Sequence, residues 1–166
     1  MVTAVAVTAA LVLAGYVATA VRRRFVVVTV RGESMLPTFT DGQRVLVRRC
    51  AVAAVTPGDV VVFADPRDAD RDRLEAERER LVAAGVPALP PPPWRRSEWL
   101  VKRVAAVPGD PVPRSAVPAL AEVDHDVVPA GALVVLGDNA ARSDDSRRYG
   151  YVPANRLVGT VLRTLS

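Results

Sequence analysis

Several reactive residue types are nearly missing. The chain of 166 residues holds one cysteine (Cys50), one histidine (His125) and one lysine (Lys102). A lone cysteine cannot close a disulfide within the chain or build a thiolate metal cage. A lone histidine rules out multi-histidine metal sites and leaves a single candidate for a Ser-His-Asp triad. No GxGxxG, P-loop, HExxH or CxxC pattern occurs, so neither a cofactor nor a metal is expected. Aromatic residues make up 5% of the chain against 50% apolar residues, so a core must be built from Val, Leu and Ala. Acidic side chains are slightly outnumbered, 18 against 22 basic ones, and every basic residue except Lys102 is an arginine. The length suits one modest domain with an appendage.

What is present begins with a long apolar run. Residues 2–21, VTAVAVTAALVLAGYVATAV, carry no charge. At ~1.5 Å per residue, such a helix spans roughly 30 Å, the thickness of a bilayer's hydrocarbon core. No charged segment precedes the run, and Arg22-Arg23-Arg24 follows it. It is therefore read as a retained transmembrane anchor, in preference to a cleaved leader or a buried helix. Those arginines favour a cytoplasmic location for the rest of the chain.

Beyond residue 24 the chain reads as short strands broken by Gly and Pro turns, a mainly β domain of antiparallel strands. The β-branched run 25–30, the alternating run 44–50, and 60–63, 99–107, 132–136 and 158–165 are the expected strands. Turns fall at 32–38, Asp41-Gly42, Pro57-Gly58-Asp59 and Pro108-Gly109-Asp110. A polar loop is expected from 137 to 150. The composition changes in between, because 12 of the 16 residues from 65 to 80 are charged. This reads as an exposed helix, followed by a stiff proline-rich linker around Pro90–Pro93. Residues 64–98 are thus an insert in a domain spanning 25–166.

The lysine falls inside an expected strand. Period-two alternation puts Leu100, Lys102 and Val104 on one face and Val101, Arg103 and Ala105 on the other, with Arg103 the residue expected to reach solvent. A lysine among apolar side chains is a candidate base, because desolvation disfavours the ammonium and can lower its pKa from ~10.4 by ~3–5 units. The plainer alternative is an exposed lysine that guards an edge strand against aggregation. Ser34 lies in a loop after the first strand, with Gly32 before it and Pro37 after it. A serine held there could act as a nucleophile, with its own N–H in an oxyanion hole, or be a plain turn serine.

Taken together, four segments in order resemble the type I signal peptidases, membrane-bound proteases with a Ser/Lys dyad. Gly32-Glu33-Ser34-Met35-Leu36-Pro37-Thr38 is similar to the nucleophile box of that family. Pro57-Gly58-Asp59 through Phe63 is similar to its next strand box, and Val101-Lys102-Arg103-Val104 through Pro108-Gly109-Asp110 to its lysine box. Gly137-Asp138-Asn139, Ser143, Asp145-Ser146-Arg147, Gly150 and Val152-Pro153 are similar to its C-terminal signature. The resemblance covers the chain except for 64–98 and 111–128.

The resemblance implies Ser34 as nucleophile, with its N–H as oxyanion donor, and Lys102 as general base. It implies Ser143 as the hydroxyl that orients the lysine. Asp145 and Arg147 match an ion pair near the site, Asp138 and Asn139 hold the loop, and Met35 lies along the substrate groove. Many relatives carry a hydroxyl residue at the position of Gly32, so that second oxyanion donor is either absent here or replaced by another group. The implied substrate is the signal or leader peptide of a precursor protein, bound as an added strand with small side chains before the cut. The implied location is the cell membrane, single-pass, with the catalytic domain outside the cytoplasm, against the pull of the arginines. Membrane lipid is a further expected partner.

Three alternatives stand beside this reading. One is a maturation protease dedicated to a single leader peptide. Another is an inactive membrane-tethered peptide-binding module. The third, a self-cleaving repressor of the LexA type, also uses Ser and Lys. No DNA-binding domain precedes residue 25, so no nucleic-acid partner is expected. His125, within Asp124-His125-Asp126, is read as lying outside the site, and Cys50 as a packing residue.

Overall fold

The computed structural model describes residues 23–66 and 99–165. The run 2–21 and most of the charged insert therefore lie outside the described residues. Among the described residues, no helix is long and apolar enough to cross a membrane.

Seven strands build the domain: β1 (Phe25–Thr29), β2 (Arg44–Arg49), β3 (Val60–Ala64), β4 (Trp99–Ala106), β5 (Ala132–Leu136), β6 (Val152–Pro153) and β7 (Leu157–Leu165). They form one sheet in the order β1-β2-β7-β3-β4-β5-β6, and every pairing is antiparallel. The expectation of a mainly β, antiparallel domain holds. The alternation read in β2 is real, with Val45 and Val47 fully buried and Arg44, Arg48 and Arg49 exposed.

The last strand in sequence, β7, inserts between β2 and β3 and joins the two halves of the sheet. The insert departs from the end of β3 and returns at the start of β4, where Ala64 faces Trp99 in register. An excursion whose two ends meet across a strand pair leaves the ladder intact, which is why so charged a segment can interrupt the domain.

Among the described residues, fifteen of the 22 buried hydrophobic residues are valines, so the aromatic-poor composition does yield a β-branched core. Valine fits this role because its stiff branched side chain packs well on a pleated surface. The core falls into three clusters. One lies around Val28, Met35, Val45, Val47 and Val62, one around Val61, Phe63, Val104, Leu133 and Val135, and one around Val112, Val117, Val128 and Val134.

The polar stretch 137–150 is not all loop. Ser146–Tyr149 forms a short helix, α1, whose first turn is capped by Asp145, the side chain accepting from the Arg147 N–H. Asp is a favoured N-cap, but one turn of arginine-rich sequence shows no amphipathic period to detect. The two-residue β6 was likewise too short to leave a pattern.

Candidate active site

Ser34 sits in the connection between β1 and β2. The base of that loop is tied by Val30 N–H donating to Gln43 O at 2.8 Å and Gly42 N–H donating to Val30 O at 2.9 Å. Met35 and Phe39 drop into the core beside Val28 and Val45 and anchor the loop from within. Gly32 has φ +79°, a conformation that side-chain-bearing residues rarely adopt, and its N–H donates to Asp41 Oδ1 at 2.7 Å. The loop is therefore held at its neck and by its own apolar side chains, leaving Ser34 between fixed points.

Lys102 comes from the middle of β4, paired in register with Val61 of β3. Directly opposed residues share a face, so Lys102 lies on the side of the sheet lined by Val61 and Val104. It is 3% exposed. Its Nζ donates to Ser34 Oγ at 2.7 Å, across 68 positions of sequence. The apolar face anticipated for Lys102 is the one it occupies.

The third strand of the site is β5. Gly137 follows it, and its N–H donates to Asp145 Oδ2 at 2.8 Å. Asp145 is fully buried and also takes Arg147 Nη1 at 2.8 Å, while Ser146 Oγ accepts the Val135 N–H at 2.9 Å. These bonds sew the segment 143–147 onto β5 and bring Ser143 against Gly137. A Cβ added at Gly137 would stand 2.1 Å from Ser143 Oγ and 2.6 Å from the Ser34 carbonyl oxygen. Glycine is required at this point by crowding, since its φ is not in the left-handed region.

The opposite face of β4 and β5 carries a different assembly. Arg103 makes two parallel bonds to Asp138, Nε to Oδ1 at 2.8 Å and Nη2 to Oδ2 at 2.7 Å. Its Nη1 donates to the Gly58 carbonyl at 2.9 Å, and Thr38 Oγ1 donates to Asp138. The guanidinium bonds hold the Asp138 carboxyl below its ordinary value, and the carboxylate bond in turn pushes the Arg103 guanidinium higher. Asn139 then reaches the Ser34 loop, its N–H donating to Ser34 O at 3.0 Å and its Nδ2 to Glu33 O at 3.1 Å. The loop is gripped from both faces of the sheet.

The sequence model of signal peptidase, peptidase S26, matches residues 2–118 and 114–165, nearly the whole chain. The chain belongs to the signal peptidase family. Signal peptidase IB of Staphylococcus aureus is 31% identical over 147 residues, covering 80% of this chain and 73% of that protein. A probable signal peptidase I-1 of Synechocystis is 27% identical over 154 residues, covering 78% and 65%.

Several expected positions of a signal peptidase site come together here, and others do not. Ser34, Lys102, Gly32, Asp138, Asn139 and the pair Asp145–Arg147 surround one loop. Ser143 lies beside them, but its buried Oγ has no hydrogen-bond partner, so the bond to the lysine amine is not formed in this structure. Met35 is 0% exposed and packs in the core, because the turn after Ser34 points the next side chain inward. Arg103 also departs from expectation, since it is held by Asp138 and does not simply reach into solvent.

Sequence reasoning placed Arg103, Thr38 and Gly137 in the matching segments without giving them a role, and missed Asp41 as part of the site. The faint signal was a pair of mutually opposite charges, one beside each candidate, Arg103 next to Lys102 and Asp138 next to Asn139. Only the register of β4 against β5 turns that adjacency into a pair. His125 stacks on Tyr151 with ring centroids 5.7 Å apart and bonds its hydroxyl at 3.0 Å, as part of a separate surface cluster. Among the described residues no group of His, Cys, Asp or Glu could hold a metal ion.

Proposed function

We propose that the protein is a membrane-anchored serine endopeptidase that removes N-terminal signal or leader peptides, with Ser34 as nucleophile and Lys102 as general base. The observation that carries this reading is the 2.7 Å contact between Lys102 Nζ and Ser34 Oγ with the lysine 3% exposed. Burial disfavours the ammonium form, and the neutral amine is the form that can take a proton.

Neutral Lys102 accepts the Ser34 hydroxyl proton as Oγ attacks the scissile carbonyl. The tetrahedral intermediate collapses by expelling the amine of the mature protein, which takes that proton from the lysine. Water then adds to the acyl-enzyme with Lys102 again as base, releasing the leader peptide as a carboxylate and restoring Ser34. The Ser34 N–H stabilises the oxyanion. Ser143 orients the amine as the reaction proceeds, a role supported by a buried hydroxyl with no competing hydrogen bond. The Asp145–Arg147 pair fixes the segment that carries it. The substrate is an extended peptide with small side chains before the cut.

In this reading, residues 2–21 are the anchor and 25–166 the catalytic domain, with 64–98 as its insert and the active site outside the cytoplasm. The arginines after the anchor do not prevent this, since long domains cross largely regardless of nearby charge. Proteolysis of the domain from outside intact cells, with none in inverted vesicles, is the expected outcome. The chemistry is tested by Ser34→Ala, Lys102→Ala and Lys102→Arg. Each is expected to abolish cleavage of a signal-peptide substrate, and activity in Lys102→Arg would remove the lysine from its role, because arginine stays protonated. Whether one precursor or many accumulate on depletion separates a dedicated enzyme from a general one.

A further inference from the structure

Asn139 makes two bonds to the nucleophile loop, and their chemistry goes beyond holding it. The side-chain Nδ2 donates to the Glu33 carbonyl at 3.1 Å. A carbonyl only accepts, so the amide must present its nitrogen there. The Glu33 carbonyl and the Ser34 N–H are opposite ends of one planar peptide unit. Among the described residues the only cis peptide is Leu36–Pro37, so this unit is trans, and fixing its carbonyl fixes the N–H to point the other way. The Glu33 carbonyl also accepts the Leu36 N–H at 3.2 Å, but that bond lies within the turn and moves with it. Asn139 is the tie from that peptide plane to the end of β5, the strand paired with the one carrying Lys102. Its backbone N–H meanwhile donates to Ser34 O at 3.0 Å. The peptide planes on both sides of Ser34 are thus held by one residue. The Ser34 N–H itself makes no hydrogen bond among the described residues.

We infer that Asn139 is a positioning residue for the oxyanion hole, aiming the Ser34 N–H at the scissile carbonyl oxygen as it becomes negative. The inference rests on the Ser34/Lys102 reading above. The aim of this donor matters more than usual, because Gly32 has no hydroxyl and its own N–H is engaged by Asp41. A donor counts in the transition state only if it points where the charge develops.

The test uses the full-length chain in detergent with a synthetic signal-peptide substrate. Asn139→Asp keeps the shape and removes both amide hydrogens, and Asn139→Ala removes them without adding charge. Both keep the backbone bond to Ser34. In both, kcat is expected to fall about 10- to 100-fold, short of full loss of an oxyanion donor, with KM unchanged. In Asn139→Ala the midpoint of the kcat/KM pH profile is expected to stay in place, since the Ser34–Lys102 contact is untouched and no charge is added, whereas the new carboxylate of Asn139→Asp can raise it. Wild-type kcat in either variant overturns the inference, as does a loss in Asn139→Ala that comes with a shifted pH midpoint, which marks general loop distortion. Ser34→Ala run alongside keeps the two claims apart. If it stays active, the Ser/Lys reading falls. If it is inactive while Asn139→Asp matches wild type, only the role of Asn139 falls.

Discussion

Lys102 and Arg103 are adjacent on β4 and face opposite sides of the sheet, into two kinds of environment. On the Lys102 side the lysine is buried and lies 2.7 Å from the Ser34 hydroxyl, and the Ser143 hydroxyl oxygen is buried without a partner. On the Arg103 side the hydrogen bonds are many, mutually satisfied and partly open to water, with side-chain exposure of 37% for Arg103 and 16% for Asp138. The difference teaches how one strand serves two ends. In the proposed mechanism a base must be desolvated to stay reactive, whereas a clamp is strongest when each donor meets an acceptor. Both act on the same loop, the first at Ser34 and the second at Thr38.

The contrast breaks most directly if truncation on the two sides has similar effects. Lys102→Ala is expected to abolish peptide cleavage with little loss of stability, because it removes an amine that is costly to bury. A fall in thermal midpoint as large as the fall in activity would make Lys102 structural. Gly137→Ala comes next. Its new methyl would meet Ser143 and the Ser34 backbone, and the backbone contact at 2.6 Å cannot be relieved by a rotamer change. Cleavage is expected to fall by two orders of magnitude or so, with about 1–3 kcal/mol lost in urea unfolding from overpacking. An active, stable Gly137→Ala would show that the Ser143 segment is free to move.

Arg103→Ala should show the reverse pattern to Lys102→Ala. It leaves Asp138 without its guanidinium, and at this exposure the cost is about 1 kcal/mol of stability, with activity reduced only in part. The same pair carries a pH signature. The folded Asp138 carboxyl lies below its ordinary value of 3.8, chiefly through the Arg103 bonds. Its contribution is therefore fully present above the unfolded value and is lost as pH falls through the folded one. The stability gap between wild type and Asp138→Asn should be constant near neutrality and close below pH 3.8. A gap that widened in acid would contradict this assignment. The smallest effect is expected at Arg142. Its 3.6 Å pair with Glu33 joins the two loops, but both side chains are exposed. Arg142→Ala should cost no more than about 0.5 kcal/mol in unfolding, with no change in kcat.

Much of the fold was legible because its signals are local. The strands at 25–29, 44–49, 60–64 and 132–136 show either period-two alternation or short β-branched runs bounded by Gly and Pro turns. What stayed hidden was short or paired at a distance. α1 is one turn long, β6 has two residues, and the Arg103–Asp138 clamp depends on a register that no single strand encodes. The burial of Met35 stayed hidden for the same reason. Its neighbour Ser34 fixed its position in the chain, but the turn that sends it into the core is a three-dimensional fact.

By itself, the sequence determined which side chains were available for chemistry. One lysine on an apolar face, one histidine outside the motifs and a loop serine between Gly32 and Pro37 restrict the choice before any contact is known. It also determined a valine core, since composition limits what can be buried. The tertiary structure decided which of those side chains meet. Lys102 reaches Ser34 because β4 pairs with β3 and β5 in one register, and Gly137 is a glycine because two distant segments converge on it. Residue types and local periods are written along the chain, whereas contacts across 68 or 106 positions arise only when the strands close.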